Sequence, residues 1–174
     1  TFATVSASGP LGFGARTYTL LPATLSASGG MSPLAVSVAA ANQFTVASLN
    51  LNQFLDASDD ARLGKASLTI AAMGLPDIIG LQEVETLAVL QRLAARIDAD
   101  ATAASVVPPA YEGIHMEHAT ADGLDVAFLV KSGPVQQVSV EQIAADAATE
   151  HPSLVLRALV SGPATSLPQA ITVI

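Results

Sequence analysis

The sequence predicts an α/β domain built on a mixed sheet with two helices, and three observations carry that prediction. Between residues 44 and about 104, apolar runs and helical periodicities alternate as strand, helix, strand, helix. After residue 110 the chain switches to strand-like runs divided by turn formers. Hydrophobic types make up 51% of the 174 residues and charged types 13%, a composition that favours a packed core over disorder.

Up to about residue 43 the chain is nearly all Ala, Ser, Thr, Gly, Pro and small aliphatics, with Arg16 as its only charge. That texture predicts a tail or linker holding one isolated strand, Arg16 to Leu21, closed by Pro22. From Phe44 the elements follow in turn. Phe44 to Asn50 reads as a strand with a polar end. The carboxylates from Asp56 to Asp60 open a helix whose apolar positions are Leu63, Ala66, Ile70 and Met73, stopped by Gly74 and Pro76. Asp77 to Glu83 is a short apolar run with an abrupt polar end, the pattern of a buried strand whose carboxyl edge carries function. Leu87, Leu90, Leu93, Ala94 and Ile97 mark a second amphipathic helix that ends within residues 98 to 104. Strands are then expected at Tyr111 to Glu117, Leu124 to Lys131, Pro134 to Val140, Ser153 to Val160 and Ala170 to Ile174. The last run has no closing turn signal, so the expectation is that the domain is truncated.

Several function classes are excluded by composition. Seven Lys and Arg against 15 Asp and Glu leave a net charge of −8, which rules out simple electrostatic grip on polyanions as the main binding mode. A phosphate substrate would need a metal. The absence of Cys removes disulfides, thiolate metal sites and cysteine nucleophiles together. No run of about 18 uncharged apolar residues offers a membrane span. Residues 1 to 10 lack the basic start and apolar block of a signal peptide, so the expectation is a soluble chain, cytosolic or already trimmed of an export signal.

The sharpest chemical feature is Pro76 to Glu85, where an apolar strand delivers Gln82, Glu83 and Glu85 at its carboxyl end, the place where open α/β sheets put ligands. A carboxylate there is a hard oxygen ligand suited to Mg²⁺. The competing reading is that Glu83 and Glu85 are first-turn carboxylates favoured by the dipole of the next helix. Asn50 and Asn52 close the first strand, where an amide can orient a phosphate or metal-bound water, or simply close a turn. His115 and His118 are three apart, a ligand spacing on a helix, but they fall in a strand-like run where such positions face opposite sides. His151 precedes a proline in a polar stretch and reads as solvated.

Three blocks in order, Phe44 to Asn50, Pro76 to Glu85 and Gly123 to Lys131, resemble the endonuclease/exonuclease/phosphatase family, over about residues 44 to 174. Within it the chain is most similar to the secreted bacterial nucleases. There Gly9 to Gly14 and Tyr18 to Pro22 would be the last hairpin of a preceding OB-like domain. The resemblance thus divides the chain into 1–22, the end of that domain or a tail strand, 23–43, a linker, and 44–174, the amino-terminal half of the catalytic domain. It implies a partial four-layer α/β sandwich, a mixed sheet with two helices on one face, whose second half is absent. It implies metal-dependent phosphodiester hydrolysis with Mg²⁺ or Mn²⁺ weakly held in this segment, on nucleic acid or another phosphodiester. Glu83 would bind the metal, and Asn50 would help hold metal or phosphate. Asn52, Gln82, Asp125 and Lys131 would be substrate-binding or supporting positions. The family's Asn-x-His, Gly-Asp-x-Asn and Asp-His blocks are not in these residues, so the segment alone is expected to be inactive. The missing half would leave an apolar sheet face bare, from which self-association or pairing with that half is expected. An exported location, extracellular or periplasmic, and no membrane partner complete the implication. The alternative from another class is a non-catalytic binding or assembly module completed by a partner chain.

Overall fold

In the computed structural model the described residues are 3–29, 36, 40, 43–117, 123–143, 152–161 and 167–174. The chain divides into two compact units, Thr1–Leu34 and Ala35–Ile174.

The first unit contains β1 (Ala3–Ser8), β2 (Leu11–Gly14), β3 (Thr17–Leu20) and β4 (Thr24–Gly29). β2 and β3 form a tight antiparallel hairpin, and β1 and β4 continue the same ribbon outward. Ala15 and Arg16 both take positive φ, 48° and 63°, the twist that a two-residue hairpin turn demands. Between the two ladders, Leu21 N donates to Pro10 O at 3.0 Å and Ala23 N to Ser8 O at 2.8 Å. Pro10 and Pro22 have no N–H to give, so the regular ladder lapses between them. Gly9 is required there, because a Cβ would lie 2.0 Å from Leu21 O. Two sequence expectations are corrected. The strand around Arg16 to Leu21 is not isolated, and Thr24–Gly29, inside the stretch assigned to a linker, is a strand. Leu25 is its only large apolar side chain, so the sequence signal for this strand is weak and the pairing registers mainly in the backbone bonds.

The second unit runs β5 (Val46–Phe54), α1 (Asp60–Ala72), β6 (Ile78–Val84), α2 (Leu87–Ala103), β7 (Tyr111–His115), β8 (Asp125–Lys131), β9 (Val135–Ile143), β10 (Ser153–Val160) and β11 (Gln169–Val173). Asp59 caps α1 by accepting from Arg62 N, and Thr86 caps α2 by accepting from Val89 N. Gly74, at φ 84°, and Pro76 end the first helix as the sequence anticipates. β5, β6, β8 and β7 make a four-stranded sheet in that order, with β5 and β6 parallel and the other pairs antiparallel. β11, β10 and β9 make a separate antiparallel sheet.

The fold is therefore mixed α/β with two helices on one face of a mixed sheet. Leu63, Ala66 and Ile70 of α1 and Leu90, Leu93 and Ile97 of α2 pack on Ile79, Leu81, Ala127 and Leu129 of the sheet. A Cβ on Gly113 would meet Leu90 Cδ2 at 2.9 Å, so its hydrogen lets α2 seat closely on β7. The alternate residues Ile78, Phe128 and Val130 face the other way and cluster with Val135, Leu154, Leu156, Ala158 and Val160 of the second sheet. Burial on both faces explains why β6 and β8 are nearly continuous apolar runs. At roughly 1.5–3 kcal/mol per large side chain removed from water, this second interface is a major part of the core.

That interface corrects a further expectation. The strands after residue 110 do not all join one sheet against the helices, because β9, β10 and β11 lie over the opposite face. Leu154, Leu156, Ala158 and Val160 alternate toward Ile78, Phe128 and Val130, so this face is covered from within the chain. The bare face from which self-association was expected is thereby removed. Among the described residues no helix is long and apolar enough to cross a membrane.

Candidate functional site

β5 and β6 run in register from Val46 opposite Ile78 to Asn50 opposite Gln82, and then the ladder breaks until Phe54 meets Val84. Three residues on β5 thus face one on β6. The mismatch is absorbed by left-handed backbone on both strands: Asn52, Gln53 and Glu83 have φ of 53°, 57° and 63°. Each such non-glycine residue costs on the order of 1 kcal/mol or more and persists only where its surroundings over-determine it.

Here the surroundings are hydrogen bonds to Glu83. Asn50 Nδ2 donates to Glu83 Oε1 at 2.8 Å, and Gln53 N donates to Oε2 at 2.7 Å. Asn50 Oδ1 accepts from Asn52 N at 2.7 Å, so the turn that Asn50 closes is also the turn that aims its amide. Bonds to a charged acceptor contribute about 1.5–3 kcal/mol each, enough to offset the strained backbone.

The loop from β5 into α1 is held from two further directions. Arg62, on the first turn of α1, donates from Nη2 to Leu51 O at 3.0 Å and also to Asn52 O. Glu85 Oε2 accepts from Asp56 N at 2.5 Å, Thr86 Oγ1 donates to Asp56 Oδ1, and Arg92 reaches Asp56 O and Ser58 O at 2.7 and 2.9 Å. Glu85 is therefore spent on the loop. Gln82 Nε2 donates to Ser48 Oγ at 3.2 Å, joining the two strands just before the break.

Asn50, Asn52, Gln82 and Glu83 thus gather at the carboxyl ends of the parallel pair. Asp125 lies at the same end of the sheet, opposite Val84 on β8, but it points inward and is only 4% exposed. His115 Nε2 is 3.6 Å from Asp125 Oδ2, and both side chains are almost fully buried. His115 sits in strand β7, as the sequence indicated. Its partnership with Asp125 carried no sequence signal, since it arises only when β7 and β8 pair. Lys131 is not part of this group. It occupies the opposite end of β8, where Nζ is 3.1 Å from Asp77 Oδ1, and Asp77 also accepts from Thr45 N at 2.8 Å. A seven-residue strand separates Lys131 from the Glu83 end, roughly 20 Å at about 3.3 Å per residue, so the structure does not bring it together with Asn50 and Glu83. His118 and His151 lie outside the described residues.

Among the described residues, what this end of the sheet could offer a divalent cation is the single carboxylate of Glu83. Each Glu83 oxygen makes one hydrogen bond and keeps a second lone-pair direction, which suits one carboxylate contact to Mg²⁺ with water and phosphate oxygens in the other positions. An all-protein cage does not fit, because no group of three His, Cys, Asp or Glu among the described residues is placed to hold a metal. Beside Asn50, a cleft of about 230 Å³ opens between β5 and α1, lined by Leu49, Asn50, Asn52, Arg62, Lys65 and Thr69 among others. Arg62, Gln53 N and this cleft were not legible in the sequence; only the i, i+3 spacing of Arg62 and Lys65 on one helix face hinted at them.

No family model and no curated protein matches the chain. Solved structures similar to it include D. rerio TDP2 humanized by 14 mutations, at 21% identity and TM-score 0.45 over 74% of this chain and 47% of that one. D. rerio TDP2 complexed with a single-strand DNA product matches at 22% identity and TM-score 0.45 over 74% of this chain and 43% of that one. The human Nocturnin catalytic domain with a bound sulfate anion matches at 16% identity and TM-score 0.44 over 74% and 48%. The chain spans less than half the length of each. This is a likeness of fold at low scores, and no residue role is carried over from it.

Proposed function

We propose that residues 44–174 supply one part of a metal-dependent phosphodiester hydrolase acting on nucleic acid or another phosphodiester, with Glu83 as the metal-holding carboxylate. One observation carries the reading: the two sequence blocks that resemble the nuclease family carry Asn50 and Glu83, and these two side chains meet at 2.8 Å where the register of the parallel strand pair breaks. Mg²⁺ or Mn²⁺, when bound, would polarise the phosphoryl oxygen and stabilise the leaving oxyanion. Asn50 orients the Glu83 carboxylate and retains one N–H for a phosphate oxygen, since its other N–H is on Glu83. Gln53 N fixes the second carboxylate oxygen, so Glu83 is held in one rotamer before any substrate arrives. Asp125 and His115, buried behind the strand ends, support the sheet edge from inside. Export from a bacterial cell belongs to the same proposal and rests on the resemblance alone.

A second reading has its own observation. Glu83 and Glu85 both accept main-chain N–H groups of residues 53 to 56, which is what purely structural clamps do in a non-catalytic module. The two readings separate on metal. Calorimetric titration with Mg²⁺ or Mn²⁺ is expected to show weak binding that Glu83→Gln removes, and a protein joining residues 44–174 to the Asn-x-His, Gly-Asp-x-Asn and Asp-His blocks is expected to nick plasmid DNA or cleave a chromogenic phosphodiester only with Glu83 intact. The 174 residues alone are expected to be inactive, because members of a catalytic unit act together. Metal-dependent cleavage that survives Glu83→Ala would place the chemistry elsewhere.

A further inference from the structure

All seven Lys and Arg of the chain fall in described residues, so their commitments can be followed individually. Arg16 belongs to the first unit. In the second unit Arg96 pairs with Asp60 and Asp100, Lys131 with Asp77, and Arg157 with Glu141. Arg62 and Arg92 are spent on main-chain carbonyls. Only Lys65 is left: among the described residues no acid or carbonyl engages its Nζ, and the side chain is exposed. Its position is specific. It lines the cleft beside Asn50 and Asn52, and also the shallower neighbouring cleft bounded by Gln53, Ser58 and Asp59.

The acids nearby form no ion pair with it. Glu83 and Glu85 accept main-chain N–H groups, Asp56 accepts from Thr86, and Asp59 accepts from Arg62 N as the helix cap. An unpaired ammonium on a flexible stem is a point-charge phosphate ligand, and it retains all three donors. In an acidic chain that cannot grip polyanions over its whole surface, one uncommitted cation lining the cleft with Asn50 and Asn52 is a local exception.

We propose that Lys65 forms a second phosphate subsite, holding a backbone phosphate of a single nucleic-acid strand next to the phosphate that faces Asn50 and Glu83. The inference rests on the phosphodiesterase reading for the identity of the strand, and it commits the site to a polynucleotide rather than a small phosphodiester. Loss of one phosphate contact lowers the salt slope of single-strand binding by about 0.7 and, at an exposed pair, weakens binding about three- to fivefold.

The test is fluorescence anisotropy of a labelled single-stranded dodecamer with the 174-residue chain, across a salt series, first in EDTA and then with Mg²⁺. Lys65→Ala is expected to lose that affinity and slope, Lys65→Arg to keep them, and Arg157→Ala, which removes the same charge elsewhere, to leave them unchanged. Alanine is a strong helix former, and unchanged circular dichroism and thermal melting of Lys65→Ala would exclude misfolding. Inorganic phosphate at the same phosphate concentration is expected not to displace the strand. No binding by the unaltered chain, binding indifferent to Lys65→Ala, or equal loss in Arg157→Ala would overturn the proposal, and displacement by inorganic phosphate would overturn the polynucleotide assignment. Lys65-dependent binding that persists in Glu83→Gln, together with cleavage indifferent to Glu83, would instead leave the subsite standing and remove the hydrolase reading.

Discussion

Asn50 and Glu83, 33 positions apart in sequence, are joined by a 2.8 Å hydrogen bond where the register of two parallel strands breaks. The amide donates to a carboxylate that is also gripped by Gln53 N, so the contact decides how the strand ends are shaped as well as what they can bind.

Replacing the donor by a like charge is the direct test. In Asn50→Asp two carboxylates share this position, and like charges in contact raise the pKa of one of them. A carboxyl whose folded-state pKa is raised destabilises the fold above that pKa and is relieved on protonation. Thermal melting of Asn50→Asp is therefore expected to fall by the equivalent of about 1–3 kcal/mol at pH 7 and to recover as acidification protonates one of the two carboxylates. The unaltered chain, lacking the clash, is expected to show no such recovery.

Arg62 joins the start of α1 to the left-handed segment of β5. Arg62→Met keeps the apolar stem and removes the donors, leaving the Leu51 and Asn52 carbonyls without that partner. A loss of about 1–3 kcal/mol in urea unfolding is expected. Glu83 amide and side-chain NMR shifts should move with it, since Gln53 N is one residue from the freed carbonyl; unmoved shifts would mean that Arg62 does not position the carboxylate.

Leu156 is fully buried between the two sheets. Leu156→Ala is expected to cost about 2–5 kcal/mol, the range for buried leucine truncation. A cost under 0.5 kcal/mol, typical of surface substitutions, would mean that β10 does not cover this face.

Tyr111 Oη donates to Pro76 O at 2.5 Å in a buried position. Burial raises its phenol pKa far above the ordinary value, with Asp77 and Asp98 adding to the shift. Because the folded pKa exceeds the unfolded value of about 10, the neutral phenol stabilises the fold fully below that pH, and the contribution is lost as pH rises beyond it. Tyr111→Phe should lose about 1 kcal/mol at pH 7 and show a flatter decline in stability above pH 10.

Most elements of the second unit were legible because their periodicities report burial directly. Leu63, Ala66 and Ile70 face one way on a helix, and Ile78, Ile79 and Leu81 are apolar on both faces of a central strand. What sequence could not convey was which sheet each late strand joins, since Leu154 and Leu156 read the same against helices or against another sheet. At the site, Glu83 and Asn50 stood out as polar ends of apolar runs. Lys131 stood at the end of a similar run, but β8 is antiparallel to β6, so its carboxyl end points away. Thr24–Gly29 carries only a short, weak alternation, Leu25 and Ala27 between Thr and Ser, which a composition of small residues hides.

The ribbon of β1 to β4 buries almost nothing: Phe13 and Tyr18 contact each other with ring centroids 4.7 Å apart yet remain 66% and 69% exposed. An isolated two-stranded ribbon whose apolar face stays exposed is marginal in water. Its protection against solvent exchange then comes from the ladder bonds alone, and these lapse at Pro10 and Pro22. Amide protons of residues 3 to 29 should accordingly trade with deuterium within seconds to minutes, while those of Ile79, Leu81 and Leu129 persist for orders of magnitude longer. A protease should likewise trim the amino-terminal ribbon first and leave a resistant core that begins near β5.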